Sequence, residues 1–305
     1  MNTAITQEIT SGLNASPPFI SPKFFYDEIG SRLFEIITLL DEYYPTRTER
    51  AIMATYQQAI AYAVGDCEVL LDLGAGNCAK ASALFDSLSP KQYRALDISK
   101  EFLESAVADL QKRFPSIEMV AQAYDLSQPL AFPDLQTKRK TFFYPGSSIG
   151  NFDPDQAQKF FRNIAQVCDG SGGLLIGVDL IKDKEVLHSA YNDSLGITAA
   201  FNLNALLHIN RMVGSNFDLQ NWEHYALFNE SQSRIEMYLR TLHSHTVQWP
   251  EGARSFKAGD LIHTENSYKY TTADFTKMLL SAGFKSTQTW SDDKGYFLVC
   301  YASAE

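Results

Sequence analysis

Between Glu68 and Leu180 the sequence alternates short apolar runs with segments that have the residue pattern of a helix. Strands separated by helices pair in parallel, so this alternation predicts a parallel sheet covered by helices on both faces. The predicted strands are Glu68–Leu73, Tyr93–Ile98, Ile117–Gln122, Thr141–Tyr144 and Gly173–Leu180. The predicted helices are Lys80–Leu88, Ser99–Phe114 and Asp153–Cys168, the last of which opens with an aspartate cap and a proline.

The alternation stops after Leu180. Asp183–Leu207 has a helical pattern, and two strands with polar interruptions are expected at Glu236–Val247 and Gly259–Tyr270. A helix over Thr272–Ala282 and a hairpin of Phe284–Trp290 with Gly295–Ala302 then complete the chain. We therefore expect a subdomain that interrupts the sheet between its fifth and sixth strands. The expected domains are residues 49–182 with 269–305, and residues 1–48 with 183–268.

Composition and charge exclude several classes of function. The 305 residues carry a formal net charge of −10 and have no basic cluster beyond Lys138–Lys140, so a small-molecule substrate is expected and nucleic acid is not. Residues 1–22 lack the apolar core of a secretory signal, and no apolar run reaches the roughly 18–20 residues that span a bilayer. No membrane partner is therefore expected. The four cysteines form no CxxC pair, which favours reduced, buried thiols in a cytoplasmic protein.

A glycine loop, Gly74-Ala75-Gly76, follows the first predicted strand. Glycines at this point permit a tight turn and a close approach of the backbone to a ligand. Proteins that bind NAD and proteins that bind S-adenosylmethionine (SAM) share the pattern, whereas the GK[ST] ending of a phosphate-binding P-loop is absent. The loop alone leaves both of these cofactors open.

Three aspartates near the ends of the first three strands favour SAM. Asp97 lies 23 residues after Gly74, where an acid accepts hydrogen bonds from ribose hydroxyls with either cofactor. Asp125 follows the third strand, where a carboxylate suits the adenine amine in methyltransferases, and Asp72 matches the acid of the first methyltransferase motif. Lys80, on the next helix, is placed to reach the methionine carboxylate.

The terminal hairpin agrees with this choice, because a class I methyltransferase sheet usually ends in one. We predict an α/β fold: a class I methyltransferase Rossmann-like sheet with a terminal antiparallel hairpin, plus a smaller α+β domain. A metal site is not expected. His243 and His245 place two imidazoles on one strand face, but the sequence offers no obvious third ligand.

Six further segments are distinctive, run in a fixed order and extend over nearly the whole chain. They are Phe25-Tyr26-Asp27, Glu42–Glu49, Gly146–Asn151, Gly196–Asn202, Arg234–Met237 and Thr264–Ser267. In these segments the sequence resembles the histidine Nα-methyltransferases of ergothioneine biosynthesis, which form hercynine. The resemblance implies that three methyl groups pass from SAM to the α-amine of L-histidine. It also implies a methyltransferase domain for residues 49–182 and 269–305, and a substrate-binding domain for the remainder.

The resemblance implies how the amino acid is held. Tyr43, Asn151 and Tyr191 would bind its carboxylate and orient its α-amine. Tyr26 would lie near both the cofactor and the methyl-transfer centre. The residues expected to act in catalysis are therefore Tyr26 and Asn151.

The resemblance also implies an imidazole site. Glu265 and Ser267 would hydrogen-bond the ring, and Met237 would pack beside it. The chemistry is reasonable on its own terms, because imidazole presents two nitrogens in donor or acceptor roles. Side chains at positions i and i+2 of a strand point to the same face, so the carboxylate and the hydroxyl can act together.

Four residues match the family's cofactor contacts, namely Gly74, Lys80, Asp97 and Asp125. Two local departures accompany them. The loop continues as Asn77-Cys78-Ala79 rather than with small hydroxyls and an acid, and Pro145 precedes the glycine of the Gly146–Asn151 segment. Neither departure removes an expected contact.

Other interpretations remain open from the sequence. A related N-methyltransferase could act on tryptophan, tyrosine or arginine, although Glu265 with Met237 favours histidine. An NAD-dependent oxidoreductase is disfavoured by Asp72, Asp125 and the terminal hairpin. A non-catalytic cofactor-binding protein is disfavoured because polar groups are retained at every matched position. The chain is expected to act as a monomer.

Overall fold

The computed structural model describes residues 3–305. Its helices are α1 (Thr3–Asn14), α2 (Glu28–Ile37), α3 (Tyr44–Thr55), α4 (Gln57–Val64), α5 (Ala79–Ser82), α6 (Phe85–Leu88), α7 (Lys100–Arg113), α8 (Pro154–Cys168), α9 (Lys184–Tyr191), α10 (Ile197–Val213) and α11 (Thr272–Ser281). Its strands are β1 (Val69–Leu73), β2 (Gln92–Asp97), β3 (Glu118–Ala123), β4 (Lys140–Tyr144), β5 (Gly172–Asp179), β6 (Trp222–Asn229), β7 (Arg234–Thr241), β8 (His245–Trp249), β9 (Gly252–Phe256), β10 (Leu261–Tyr268), β11 (Ser286–Ser291) and β12 (Phe297–Ser303).

The chain divides into two compact units. The parallel-sheet unit comprises Pro45–Ile181 and Lys269–Glu305, and the small-sheet unit comprises the chain up to Tyr44 and Lys182–Tyr268. The sequence-based boundaries lie after residues 48, 182 and 268, and the observed ones lie after residues 44, 181 and 268.

The parallel-sheet unit is built on a seven-stranded sheet with the order β11-β12-β5-β4-β1-β2-β3. Strands β5, β4, β1, β2 and β3 are parallel, and β12 pairs antiparallel with both β5 and β11. Every residue of β1, β4 and β5 is buried, as expected of parallel strands that helices cover on both faces. The predicted α/β sheet with a terminal antiparallel hairpin is therefore confirmed.

A buried ion pair lies where the chain returns to this sheet. The Asp179 carboxylate, at the end of β5, is 2.9 Å from the Lys269 ammonium, and both side chains are 1% exposed. The backbone reinforces the pair, because the Tyr270 amide donates to the Asp179 carbonyl and the Ile181 amide donates to the Tyr270 carbonyl. The sequence pattern gives no indication of this pair.

The small-sheet unit combines two antiparallel sheets with helices, so it has the α+β character expected of the smaller domain. Its three-stranded sheet has the order β10-β7-β6, and β8 pairs with β9. Helix α10 packs on β6 and β7. The core of the unit includes Leu206, Ile209 and Val213 of α10, together with Trp222 of β6 and Leu239 of β7.

The prediction of one continuous helix over Lys80–Leu88 is wrong. The chain forms two helices, α5 and α6, with a break at Ala83–Leu84. Leu84 and Phe85 are consecutive and both buried. In a continuous helix, consecutive side chains point about 100° apart. The break allows both side chains to enter the core.

Two predictions for the small-sheet unit are also corrected. The single helix over Asp183–Leu207 is two helices, because the Asp193 carboxylate accepts the Ile197 and Thr198 amides at 2.8 and 2.7 Å and starts α10 anew. The single strand over Glu236–Val247 is β7 and β8, which belong to different sheets. Neither β6 nor β9 is predicted from the sequence, nor are the helices before Glu68.

We predict that Lys269→Met strongly destabilises the protein. Removing one partner of a buried pair takes the positive charge away from the Asp179 carboxylate, which costs about 3–5 kcal/mol. The matched control is Lys112→Met, which breaks an exposed pair with Asp109 (2.9 Å) and should cost about 1 kcal/mol or less. Urea unfolding of the two variants measures the difference, and equal unfolding midpoints would contradict a structural role for the buried pair.

Candidate active site

The glycine loop lies at the carboxyl end of β1. Gly74 and Gly76 both have left-handed backbone torsions, with φ of +71° and +52°. The amides of Gly74 and Ala75 donate to the Leu96 carbonyl at 2.9 and 3.0 Å, which fixes the turn against β2. A Cβ at Gly76 would meet no described atom within 4 Å, so glycine is favoured there by backbone conformation and not by crowding.

Asp97 ties this loop to the end of β2. One carboxylate oxygen accepts the Gly76 amide at 2.9 Å, and the other accepts the Ser99 amide at 3.0 Å. A carboxylate has about four acceptor positions, so these two bonds leave capacity for a ligand's hydroxyls. The half-buried Asp97 therefore suits the predicted ribose contact.

Asp125 lies close to Asp97 through the backbone. The Tyr124 amide donates to the Asp97 carbonyl at 2.9 Å, and the Asp125 carboxylate accepts the Ser127 amide at 2.9 Å. Leu126 approaches the glycine loop, since a Cβ at Gly74 would lie 3.9 Å from its side chain. The structure thus brings Gly74, Asp97 and Asp125 together at one edge of the sheet.

Asp72, two residues before Gly74, forms a buried hydrogen bond with Tyr93. The Tyr93 hydroxyl donates to the Asp72 carboxylate at 2.7 Å, and both side chains are buried. Burial raises the pKa of Asp72 to about 7, with a further rise from Asp97 and opposing effects from the Tyr93 hydrogen bond and Lys80. Burial also raises the pKa of the neighbouring Cys78 thiol to about 12.

Lys80 has a partner that the sequence analysis does not predict. Its ammonium lies 2.7 Å from one oxygen of Glu49, whose side chain is 1% exposed, whereas that of Lys80 is 38% exposed. The other Glu49 oxygen accepts the Gly146 amide at 2.7 Å. The sequence signal for Glu49 is its position at the end of the matched segment Glu42–Glu49, in which Tyr43 was assigned a role and Glu49 was not.

Asn151 ends a short 3-10 helix, Ser148–Asn151, directly after β4. The turn before it contains two successive left-handed residues, Gly146 and Ser147, with φ of +78° and +60°. The Ser147 hydroxyl accepts the Asp179 amide at 2.9 Å, which connects this turn to β5. The half-buried Asn151 therefore lies at the same edge of the sheet as the glycine loop.

In the small-sheet unit, the predicted carboxylate-binding and imidazole-binding residues are neighbours. The Tyr191 hydroxyl, on α9, donates to the Ser267 hydroxyl, on β10, at 2.7 Å. The Tyr43 and Tyr191 rings lie edge to face with centroids 6.5 Å apart. His224 supports this arrangement, because its Nε2 lies 2.9 Å from the Tyr191 carbonyl.

A β-bulge sets the face on which Glu265 lies. The register of β10 against β7 shifts between His263 and Glu265, and beyond the shift Glu265 lies directly opposite Met237. The extra residue, Thr264, changes which side chains share a face. Glu265, Ser267 and Met237 are all buried, and the bulge places them on one face of the small sheet.

Tyr26 belongs to an aromatic cluster within the same unit. Its ring packs edge to face on Phe34 and Phe201, at centroid distances of 5.7 and 5.6 Å, and Phe34 continues the contact to Tyr43 at 6.3 Å. Asp27 fixes the segment, because its carboxylate caps α2 at Gly30 and accepts the Asn204 amide group at 2.7 Å.

The predicted site residues thus fall into two sets. The parallel-sheet unit holds Gly74, Lys80, Asp97, Asp125 and Asn151, and the small-sheet unit holds Tyr26, Tyr43, Tyr191, Met237, Glu265 and Ser267. Their contacts with ligands stay predictions.

No group of three His, Cys, Asp or Glu side chains that could hold a metal ion occurs within residues 3–305. His245 instead bonds the His243 carbonyl through Nδ1 at 2.7 Å and packs edge to face on Trp222. Over the same residues, no helix is long and apolar enough to cross a membrane.

Comparison with known proteins identifies relatives over nearly the whole chain. A family model for histidine-specific, SAM-dependent methyltransferases matches residues 5–304. The histidine N-alpha-methyltransferase of Mycolicibacterium smegmatis is 36% identical over 96% of this chain and 93% of its own length. The protein of the same name from Mycobacterium tuberculosis is 34% identical over 98% and 95%. A solved Bordetella parapertussis structure, described as a "possible exported protein", shares the fold alone, with a TM-score of 0.54 and 11% identity over 92% of this chain and 84% of that chain.

We predict that Asp72 makes the stability of the protein fall as the pH rises. The raised pKa, about 7 against 3.8 for an ordinary aspartate, means that the folded state holds this proton where the unfolded state has released it. The contribution is fully present below about pH 4 and is lost as the pH rises through about 7. The melting temperature of the wild type minus that of Asp72→Asn should therefore decrease between these two pH values. A difference that is constant or increases would contradict a raised pKa.

Proposed function

The chain belongs to the histidine-specific, SAM-dependent methyltransferases, and we propose that it transfers three methyl groups from SAM to the α-amine of L-histidine, forming hercynine for ergothioneine biosynthesis. The observation that carries the choice of histidine is the face of β10 that holds buried Ser267 and buried Glu265, the latter directly opposite Met237.

This face matches the two ends of an imidazole ring. A carboxylate accepts a hydrogen bond from a ring N–H, and a hydroxyl donates to or accepts from the second nitrogen. Burial of Glu265 strengthens the selection for an imidazole ring. A ligand without a suitably placed N–H would not form this hydrogen bond, and losing a bond to a buried carboxylate is costly. The Met237 thioether offers a flexible apolar surface beside the ring.

In the proposal, Tyr43, Tyr191 and Asn151 hold the carboxylate of histidine and orient its amine. The Tyr191–Ser267 hydrogen bond places a residue proposed to hold the amino-acid backbone beside one proposed to hold the ring. Tyr191 is the donor in this bond, so within the set its oxygen is the group that accepts an amine N–H, and Tyr43 and Asn151 are left to donate to the carboxylate. The two groups are then fixed at a defined separation. An amino acid with a different side-chain length would satisfy only one of them.

The parallel-sheet unit is proposed to hold SAM. Asp97 and Asp125 would accept hydrogen bonds from the ribose and the adenine amine, and Lys80 would bind the methionine carboxylate. The left-handed glycine loop allows a ligand to approach the backbone at Gly76. Because the family is SAM-dependent, the NAD-dependent alternative is not retained.

The proposed reaction is a direct displacement. The C–S bond of the sulfonium breaks as the C–N bond forms, so the positive charge moves from sulfur to nitrogen. After the first and second transfers a proton then leaves the amine for water, and after the third no N–H remains. Only the neutral amine has the lone pair that attacks. Holding donor and acceptor in near-attack geometry can supply roughly 7–11 kcal/mol, and we assign this role to Tyr43, Asn151 and Tyr191.

Three successive transfers enlarge the amine and finally make it a permanent cation. Tyrosine oxygens near the nitrogen would accept N–H hydrogen bonds in the first two rounds. Aromatic faces attract a quaternary ammonium group, and the cluster of Tyr26, Phe34, Tyr43 and Phe201 provides such faces. The proposal therefore assigns Tyr26 to the surroundings of the transferring methyl group.

We propose that the protein acts as a monomer in the cytoplasm. The four cysteines support a reducing location, because Cys67, Cys78, Cys168 and Cys300 are all buried free thiols.

Mass spectrometry of histidine incubated with the protein and SAM tests the reaction. The expected products carry one, two and three methyl groups on the α-nitrogen, with the trimethylated form accumulating. The Asn151→Ala variant should lose at least tenfold in kcat/KM, about 1.4 kcal/mol, because the amine is no longer oriented. The absence of methylated histidine with the wild type would reject the proposal.

Substrate choice is tested with the double variant Glu265→Ala/Met237→Val. It removes the imidazole's acceptor and enlarges the space beside it. We expect kcat/KM for histidine to fall at least a hundredfold, about 2.7 kcal/mol, as expected when a hydrogen-bonded site loses its partner. Activity towards tryptophan or tyrosine should increase over the wild type. Unchanged histidine kinetics would reject the assignment of the imidazole site.

A further inference from the structure

Glu49 joins two segments of the proposed site through one buried carboxylate. One oxygen lies 2.7 Å from the Lys80 ammonium, on α5, and the other accepts the Gly146 amide at 2.7 Å, directly after β4. Lys80 is proposed to bind the methionine carboxylate of SAM, and Gly146 opens the turn that leads to Asn151. The two oxygens therefore connect the cofactor side of the site to the substrate side.

Two glycines make room for this arrangement. A Cβ at Gly177, on β5, would lie 1.9 Å from the Glu49 oxygen that bonds Gly146. A Cβ at Gly146 would lie 2.9 Å from the Lys80 ammonium. Both distances are shorter than a normal contact, so the carboxylate and the ammonium occupy the places where side chains at these two glycines would be.

The turn that Glu49 holds is conformationally demanding. Gly146 and Ser147 are both left-handed, and for the non-glycine Ser147 this conformation is unfavourable unless its surroundings impose it. The turn is fixed at two points, by Glu49 at the Gly146 amide and by the Asp179 amide at the Ser147 hydroxyl. Two internal bonds, from Gly150 to the Ser147 carbonyl and from Phe152 to the Ile149 carbonyl, then complete the helix that ends at Asn151.

We propose that Glu49 is a positioning residue that holds Lys80 for the cofactor carboxylate and the Gly146–Asn151 turn for the substrate at the same time. This inference rests on the proposed function for the roles of Lys80 and Asn151. Glu49 itself touches neither ligand in the proposal. An ammonium has three donor hydrogens, so Lys80 can retain its bond to Glu49 while it binds a second carboxylate.

The Glu49→Gln variant tests this role with almost no change of shape. The amide keeps one acceptor oxygen and gains an N–H₂ group that faces a donor, so it can satisfy Lys80 or the Gly146 amide but not both. Asp109→Asn is the matched acid-to-amide control, because Asp109 forms an exposed ion pair with Lys112 on α7. Lys80→Met serves as the variant that removes the ammonium proposed to bind the cofactor.

Two measurements report separately on the two hydrogen bonds of the Glu49 carboxylate. Calorimetric titration with S-adenosylhomocysteine, whose homocysteine carboxylate corresponds to the methionine carboxylate of SAM, measures the cofactor side. Hydrogen–deuterium exchange of the peptide that spans residues 145–152 measures the order of the turn. We expect Glu49→Gln to weaken S-adenosylhomocysteine binding about tenfold, as for a lost charged hydrogen bond, and to accelerate exchange in the turn. Asp109→Asn should change neither, and Lys80→Met should weaken the binding.

The double variant Glu49→Gln/Lys80→Met separates positioning from general destabilisation. It should bind S-adenosylhomocysteine no more weakly than Lys80→Met, because Glu49 acts on this ligand through Lys80. A further loss in the double variant, or a Glu49→Gln protein that matches Asp109→Asn in either readout, overturns the proposal. If Glu49→Gln does not fold, Glu49→Asp decides instead. Its carboxylate is one methylene too short to reach both partners, and it should move both readouts.

Neither readout uses histidine. A wild-type protein that fails to methylate histidine therefore rejects the proposed function, whereas unchanged S-adenosylhomocysteine binding or unchanged exchange in Glu49→Gln rejects the role of Glu49.

Discussion

The parallel pairing of β5, β4, β1 and β2 determines the geometry of the cofactor side of the site, because it brings the carboxyl ends of these strands to one edge of the sheet. The glycine loop follows β1, Asp97 ends β2, the Gly146–Asn151 turn follows β4, and Asp179 ends β5. A shift of one residue in any of these pairings would turn each following side chain to the opposite face. The continuous burial of β1, β4 and β5 makes such a shift costly, so the core fixes the positions of polar residues that contribute little to it.

Polar side chains then connect the loops at that edge to one another. Asp97 holds the glycine loop, Glu49 connects Lys80 to Gly146, and Ser147 bonds to β5 beside the Asp179–Lys269 pair. Buried charges of this kind are satisfied only in one arrangement, so they favour a single conformation of the loops. The small-sheet unit uses the same principle, with the Tyr191–Ser267 hydrogen bond holding α9 to β10.

The sequence predicts the sheet, the terminal hairpin and the inserted unit because apolar runs and turn residues are local signals. It does not predict the breaks at Leu84 and Asp193, where tertiary burial and a side-chain cap override a continuous helical pattern. The bulge before Glu265 and the partners of Glu49 depend on residues distant in the chain. A single sequence carries no spacing signal for such contacts, so the matched segments indicated residues without indicating what holds them.

A crystal structure of the protein with S-adenosylhomocysteine and L-histidine tests the proposed binding of both ligands. We expect the ribose hydroxyls on Asp97, the homocysteine carboxylate on Lys80, and the imidazole between Glu265 and Ser267 with the histidine amine directed at the sulfur atom. Histidine bound with its ring away from Glu265, or with its amine directed away from the sulfur, would reject histidine methylation at this site.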